Sequence, residues 1–216
     1  MNARLTEEQL QQLAANLRCP LGDEGLKAAQ MMQATNAGLI DKTFAALSLA
    51  AGDKLLEIGP GNGSHVARLP SDIDYTGLDI SKTMITEAQN TCAHLDNCRF
   101  VYYDGKAIPF ENQSFNKIAT INTIYFWEDP KAYASQIVRV LKPQGILAIG
   151  FIPKSTMQHI PFSKYGFRLY DPDEVSILLN QSGLVITGIL SDTEFVTTSS
   201  GGVVERGIVV LTAVKQ

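Results

Sequence analysis

The string Leu55-Leu56-Glu57-Ile58-Gly59-Pro60-Gly61-Asn62-Gly63-Ser64 runs an apolar stretch straight into a glycine-rich turn. Glycines permit positive φ and let backbone N–H groups approach a ligand closely, which is how the carboxyl edge of an open α/β sheet takes up a nucleotide-like molecule. Asp79, in Gly77-Leu78-Asp79-Ile80-Ser81, follows about 20 residues later, where a carboxylate accepts hydrogen bonds from a ribose diol. It also stands ahead of a helix, although Ser81 is the better cap. Asp104, in Tyr102-Tyr103-Asp104-Gly105, adds a second acidic group suited to accept from an exocyclic amine, though a turn aspartate of this kind is commonly structural. The glycine spacing is G-x-G-x-G, with Ser64 where the dinucleotide fingerprint has its third glycine. Only six residues separate Gly63 from Pro70, too few for the long phosphate-facing helix of a dehydrogenase.

Such residues need a scaffold that ends several strands at one edge. From Asp53 the chain alternates short apolar runs with stretches of helical period: Leu55 to Ile58, Tyr75 to Ile80, Phe100 to Tyr103, Ile118 to Ile124 and Gly145 to Ile152. Strands apolar on both faces belong to a parallel sheet covered by helices. The helical stretches Ser81 to His94 and Pro130 to Leu141 make right-handed βαβ units the natural arrangement, with Pro130 in a first turn that tolerates it. After Pro153 the pattern predicts a loop rich in aromatics, then a helix opened by Asp171 to Glu174 and closed at Gly183. Two β-like runs, Leu184 to Phe195 and Gly207 to Val214, flank the turn-prone Thr197 to Gly202 and, with no helix between them, pair antiparallel. Ahead of the sheet, Thr6 and Gln9 form a capping-box pattern for a helix stopped by Pro20. Further helices are expected over about 23–32 and 36–49, the latter with the stripe Leu39, Ile40, Thr43, Phe44 and Leu47. The fold class is α/β, three-layered and doubly wound, with a mixed sheet.

The 216 residues are 45% hydrophobic and 19% charged, the balance of one globular domain. A formal charge of −4 argues against a general electrostatic grip on nucleic acid. Cys19, Cys92 and Cys98 are odd in number and lack the paired spacings of a zinc site, so no metal is expected and the thiols are read as reduced. Met1 to Leu10 is polar, with Glu7 and Glu8 where an export signal needs a basic start and an apolar run. The longest apolar stretch, Ile146 to Ile152, is far short of the roughly 20 residues of a membrane span. A cytoplasmic location is the expectation.

Together these strings resemble the class I S-adenosylmethionine-dependent methyltransferases. LLEIGPGNG at 55–63, YTGLDIS at 75–81, YYDGKAIPFENQSFNKI at 102–118 and RVLKPQGIL at 139–147 look like that family's successive motifs in its order, within a resemblance covering roughly Leu39 to Leu190. The resemblance implies a seven-stranded, mostly parallel sheet with an antiparallel last strand. It also implies an N-terminal helical cap over residues 1–50, a methyltransferase domain over 51–216, and S-adenosylmethionine as cofactor. Glu57 would lie near the methionine amino group, directly or through water, and the backbone of Gly59, Gly61, Asn62 and Gly63 would pass under the methionine and ribose. Asp79 would take the ribose hydroxyls and Ile80 the adenine face. Asp104 would accept from the adenine amine beside Gly105, and Asn122 would close the methionine side. The chain departs from the family's common SFD at Ser114-Phe115-Asn116 and from LKPGG at Gln144.

Methyl transfer from a sulfonium is an in-line displacement, for which a protein supplies alignment and a shielded pocket, with a base only where the acceptor must lose a proton. Acceptor-side candidates are the run Asn122 to Asp129 with His159, Tyr165 and Tyr170, whose aromatic rings suit a flat apolar acceptor or the sulfonium itself. Phe126 and Trp127 equally suit a helix–sheet core. His159 and Tyr125 are the catalytic candidates, His159 as general base. The NPPY-type strings of amino-methylating nucleic-acid enzymes are absent, so a small-molecule acceptor is expected. Arsenic chemistry on Cys92 and Cys98 is disfavoured. An NAD-dependent dehydrogenase and a catalytically inactive, cofactor-binding partner subunit stay open as alternatives, as does a homodimer.

Overall fold

The computed structural model describes residues 5–197 and 202–216. Its strands are β1 (Lys54–Ile58), β2 (Asp74–Asp79), β3 (Cys98–Tyr102), β4 (Phe115–Ile121), β5 (Leu141–Phe151), β6 (Leu184–Thr197) and β7 (Val203–Lys215). The helices are α1 (Glu7–Arg18), α2 (Gly22–Thr35), α3 (Ala37–Leu47), α4 (Lys82–Thr91), α5 (Pro130–Val140), the single turn α6 (Lys154–Met157) and α7 (Pro172–Gln181). One seven-stranded sheet has the order β3-β2-β1-β4-β5-β7-β6. Pairings among β1 to β5 are parallel, and β7 runs antiparallel to both β5 and β6. The sheet order reverses between β1 and β4, and in an open α/β sheet ligands bind in the crevice at that reversal.

Side chains alternate between the two faces of a strand. Leu56, Ile58, Leu78, Ile118, Leu147 and Ile149 pack with Tyr133, Ile137 and Val140 of α5 and with Val175 and Leu179 of α7. Leu55, Tyr75, Ala119 and Ala148 pack on the other face with Ile40, Phe44 and Leu47 of α3 and with Val66 and Cys92. The three layers expected from the sequence are therefore present. α3 lies against β4, β5 and β7, so the helical layer on that face begins ahead of residue 50.

Helix ends follow their local chemistry. Thr6 Oγ1 accepts from the Gln9 N–H at 3.2 Å while Gln9 Oε1 accepts from the Thr6 N–H at 2.9 Å, the reciprocal capping box. Ser81 Oγ accepts from the Met84 N–H at 3.1 Å to cap α4, and Asp129 caps α5 ahead of Pro130.

Several boundaries differ from the sequence reading, β7 for example starting at Val203 and not Gly207, and three of the differences have a local cause. The run ending at Ile124 breaks at Ile121, because Asn122 turns to φ 56° and Ile124–Phe126 coil into a 3-10 turn. β5 begins at Leu141, ahead of a register irregularity at which Gln144 takes φ 62°. The stretch after Pro153 is not a plain loop, since α6 and a 3-10 turn at Pro161–Lys164 fold within it. Of the expected turn from Thr197 to Gly202, residues 198–201 lie outside the described residues. Among those described, no helix is long and apolar enough to cross a membrane.

Candidate active site

Beyond β1 the chain turns through Gly59, Gly61 and Gly63 at φ 77°, 58° and 70°. A Cβ on Gly59 would stand 2.5 Å from Thr123 Cγ2, so glycine is required there by approach as well as by conformation. Gly63 faces the other way, where a Cβ would meet Ala88, Cys92 and Phe100. The loop runs on into one 3-10 turn, Val66–Arg68, and not into a long helix whose N-terminus would hold a pyrophosphate.

A cavity of about 400 Å³ opens at this edge of the sheet. The glycine loop contributes Gly59, Gly61 and Asn62, and the strand ends contribute Glu57, Asp79, Ile80, Asp104, Gly105 and Asn122. These nine of the ten expected cofactor residues come together on one cavity. Gly63 does not join them, because it packs into the core behind the loop.

Asp79 is buried and accepts from the Ser81 N–H at 2.8 Å. Burial pushes its carboxyl up to about 6, against the opposing pull of backbone hydrogen bonds from Ser81, Gly61 and Ile80. Ser81 alone caps α4 through its side chain, which leaves the Asp79 carboxylate to the cavity.

Glu57 is part of a buried network the sequence reading missed. His65 Nε2 lies 2.8 Å and the Tyr75 hydroxyl 2.5 Å from the same Oε2. The Tyr75 O–H donates, and burial with the adjacent Glu57 charge pushes that phenol up. His65 is 2% exposed, stacks on Phe44 at 5.4 Å and keeps an unpaired, buried Nδ1. Glu57 thus reaches the cavity with one oxygen already fixed in place. The sequence signal was slight: a histidine just past the glycine loop.

The two catalytic candidates fall in different surroundings. Tyr125 lines the cavity, but its hydroxyl is bound on three sides: it accepts from the Ile152 N–H at 2.6 Å, and lies 3.0 Å from the Ile152 carbonyl and 3.1 Å from Asn122 Oδ1. Burial pushes this phenol up, so it is an anchor and a poor base. His159 is exposed, 3.5 Å from the Gln158 amide, and is not part of the cavity lining. Tyr165 bonds Glu7 on α1, and Tyr170 is buried with a hydroxyl that finds no partner; neither lines the cavity.

The other half of the cavity is aromatic. Phe126 meets Phe167 edge-on at 4.7 Å, Phe162 lies 5.6 Å from Phe167, and Trp127 packs on Tyr133 while donating to Thr123 Oγ1 at 3.3 Å. Phe126 and Trp127 therefore serve core and cavity at once. Above them, α1 and α2 contribute Leu17, Ala28, Ala29 and Met32. Their corner is docked on α4, with the Ser81 hydroxyl donating to the Pro20 carbonyl at 2.5 Å, and Arg18 pairs with Glu128 at 2.8 Å. From β7, Arg206 also lines the cavity, a residue the sequence reading did not single out. Among the described residues no cluster of side chains could hold a metal.

The fit to S-adenosylmethionine follows from this donor set. The molecule carries a ribose diol, an adenine amine and a cationic sulfonium but no phosphate, and the loop edge offers carboxylates and backbone without a pyrophosphate-binding helix. A family model described as a methyltransferase domain matches residues 56–149. The chain is 32% identical over 129 residues to the 27-O-demethylrifamycin SV methyltransferase of Amycolatopsis mediterranei, covering 57% of this chain and 47% of that protein. It is 29% identical over 126 residues to a phthiotriol/phenolphthiotriol dimycocerosates methyltransferase of Mycobacterium leprae, over 57% and 46% of the two chains. The chain thus spans about half the length of these curated relatives. Among solved structures, a SAM-dependent methyltransferase from Aquifex aeolicus superposes with a TM-score of 0.70 at 17% identity, covering 91% of this chain and all of that one. Family model, motif order and seven-stranded fold agree: residues 56–149 match a methyltransferase domain, and the fold is the one seen in S-adenosylmethionine-dependent methyltransferases.

Proposed function

We propose that this protein binds S-adenosylmethionine along the carboxyl edge of β1, β2 and β3 and transfers its methyl group to an apolar small molecule. The observation that carries this reading is a single cavity with two halves, carboxylates and a glycine loop on one side and an aromatic wall on the other. When bound, the cofactor would supply an electrophilic methyl carbon, to which the acceptor bonds in line as the carbon–sulfur bond breaks and S-adenosylhomocysteine leaves. Asp79 takes the ribose hydroxyls, Ile80 and Gly105 flank the adenine, and Asp104 accepts from its amine. Glu57, steadied by His65 and Tyr75, faces the amino group of the methionine, and Asn122 closes that end. The rings of Phe126, Phe162 and Phe167, under α1 and α2 as a cap, exclude water from the transfer and align the acceptor. Tyr125 positions Asn122 and Ile152 instead of moving a proton.

The small-molecule reading is supported by the size and apolar character of the cavity, and by relatives named for rifamycin and dimycocerosate substrates. The test is titration calorimetry with S-adenosylhomocysteine and, separately, with NAD. Saturable binding of S-adenosylhomocysteine alone, weakened by about 1–3 kcal/mol in Asp79→Asn, is the expected result. NAD binding in its place would sink the assignment.

A further inference from the structure

Arg206 sits on β7 directly across from Glu194 of β6 in the strand register. Its Nε and Nη2 donate to Glu194 Oε1 at 2.9 and 2.6 Å, and Nη2 also donates to the Thr35 carbonyl at 2.7 Å and to Asn36 Oδ1 at 3.0 Å. These bonds fix one edge of the guanidinium to the corner between α2 and α3, with the side chain only 10% exposed. Nη1 makes no hydrogen bond to a described residue. A guanidinium carries five N–H donors, so two of them remain on a group that lines the cavity. Those two donors are not sealed from solvent, and a ligand that brings an oxygen to them gains a charge-assisted hydrogen bond.

The surroundings specify that ligand further. Arg18 and Lys106, the other cations in the lining, are exposed. The segments after Glu128 add the apolar or aromatic Tyr133, Ile152, Met157, Phe162 and Phe167, while the polar lining residues Thr35 and Asn36 are already bonded to the guanidinium. The Arg206 charge is felt at Tyr125, whose hydroxyl touches Asn122. Tyr125 and Arg206 line the same cavity as Asn122, the strand end expected to face the methionine of the cofactor. Glu194 already compensates the charge, so the free N–H groups require an acceptor atom more than they require an anion.

We infer that Arg206 determines acceptor specificity: the methyl acceptor is an apolar, ring-bearing small molecule that presents a carbonyl or carboxylate oxygen to Arg206 Nη1. Its ring lies among Phe162, Phe167 and Tyr125. This inference rests on the methyltransferase reading for the role of the ligand, but its contacts can be tested apart from it.

Three naphthalene probes of similar shape separate the contributions: 1-naphthoate, methyl 1-naphthyl ketone and 1-ethylnaphthalene, each titrated into the full chain with and without saturating S-adenosylhomocysteine. The two oxygen-bearing probes are expected to bind about tenfold more tightly than the hydrocarbon. In Arg206→Met combined with Glu194→Gln, which removes the pair without stranding a carboxylate, that advantage should shrink to about twofold or less. Equal affinity of all three probes for the unaltered protein overturns the inference, and needs no variant to fold. Discrimination that survives in the double variant overturns it as well. S-adenosylhomocysteine affinity, measured alone, judges the cofactor reading independently: its absence alongside intact probe discrimination would sink that reading and leave the Arg206 site standing.

Discussion

Asp79 shows how one residue ties binding to pH. Burial raises its carboxyl from the ordinary carboxylate range to about 6, so the folded protein holds a proton that the unfolded chain has released between about pH 4 and 6. This group therefore favours the fold below about pH 4, and its contribution is lost as pH rises through 6, by up to about 3 kcal/mol. The proposed ribose binding runs the opposite way, since it would need the ionised acceptor. S-adenosylhomocysteine affinity should fall about tenfold per pH unit below 6, and the fall should vanish in Asp79→Asn. Calorimetry at pH 5, 6 and 7.5 reads both, and a parallel decline in the variant would assign the effect to another group. Tyr125 makes a different prediction. Tyr125→Phe strands the Ile152 N–H, so urea unfolding should show a loss of about 1–3 kcal/mol, whereas an unmoved midpoint would show that the phenol is no anchor.

At the scale of the element, the two departures from the family's common strings have separate explanations. Asn116 stands where aspartate is common, and its amide donates to Asp53 while its oxygen accepts from the Lys54 N–H at 2.6 Å. A carboxylate there would face a second carboxylate, so Asn116→Asp should lower stability by about 1–2 kcal/mol above pH 5 and recover part of it on acidification. Gln144 stands where glycine is common and is held at φ 62°, in the left-handed region. Gln144→Gly should stabilise the start of β5 by about 0.5–1 kcal/mol, less than the full left-handed penalty because glycine also loosens the unfolded chain. Chemical denaturation decides; a destabilised variant would mean that the glutamine side chain earns its place by other contacts.

For the whole molecule, the cavity is assembled from segments far apart in sequence. Arg206 reaches the Thr35 carbonyl across 171 positions, and Arg18 reaches Glu128 across 110. A ligand filling this junction binds only the folded state. S-adenosylhomocysteine at about 100 times its Kd should thus add about 2.7 kcal/mol and raise Tm by about 5–10 °C. A calorimetric scan without such a shift would contradict binding at this site. The exposed Arg18–Glu128 pair contributes little of the stability, its two side chains being 46% and 81% exposed.

The sequence alone determined the sheet, its parallel body, the antiparallel close and the glycine-loop edge. Those features are written in local periodicity and in the backbone requirements of Gly61 and of the Ser81 cap, which neighbours in the chain suffice to set. Asp79 and Asp104 were legible because strand ends in such a sheet converge on one edge. The outward placement of His159, the core role of Gly63 and the saturation of Tyr125 were not legible. Each depends on what a side chain meets across the fold, and no local pattern encodes that. His65 and Arg206 came to light only in three dimensions, where packing brought His65 Nε2 onto Glu57 and two unused N–H groups of Arg206 to the cavity. Periodicity fixes which face a residue takes, whereas only the closed tertiary structure decides which polar groups remain unsatisfied, and it is those groups that a ligand can complete.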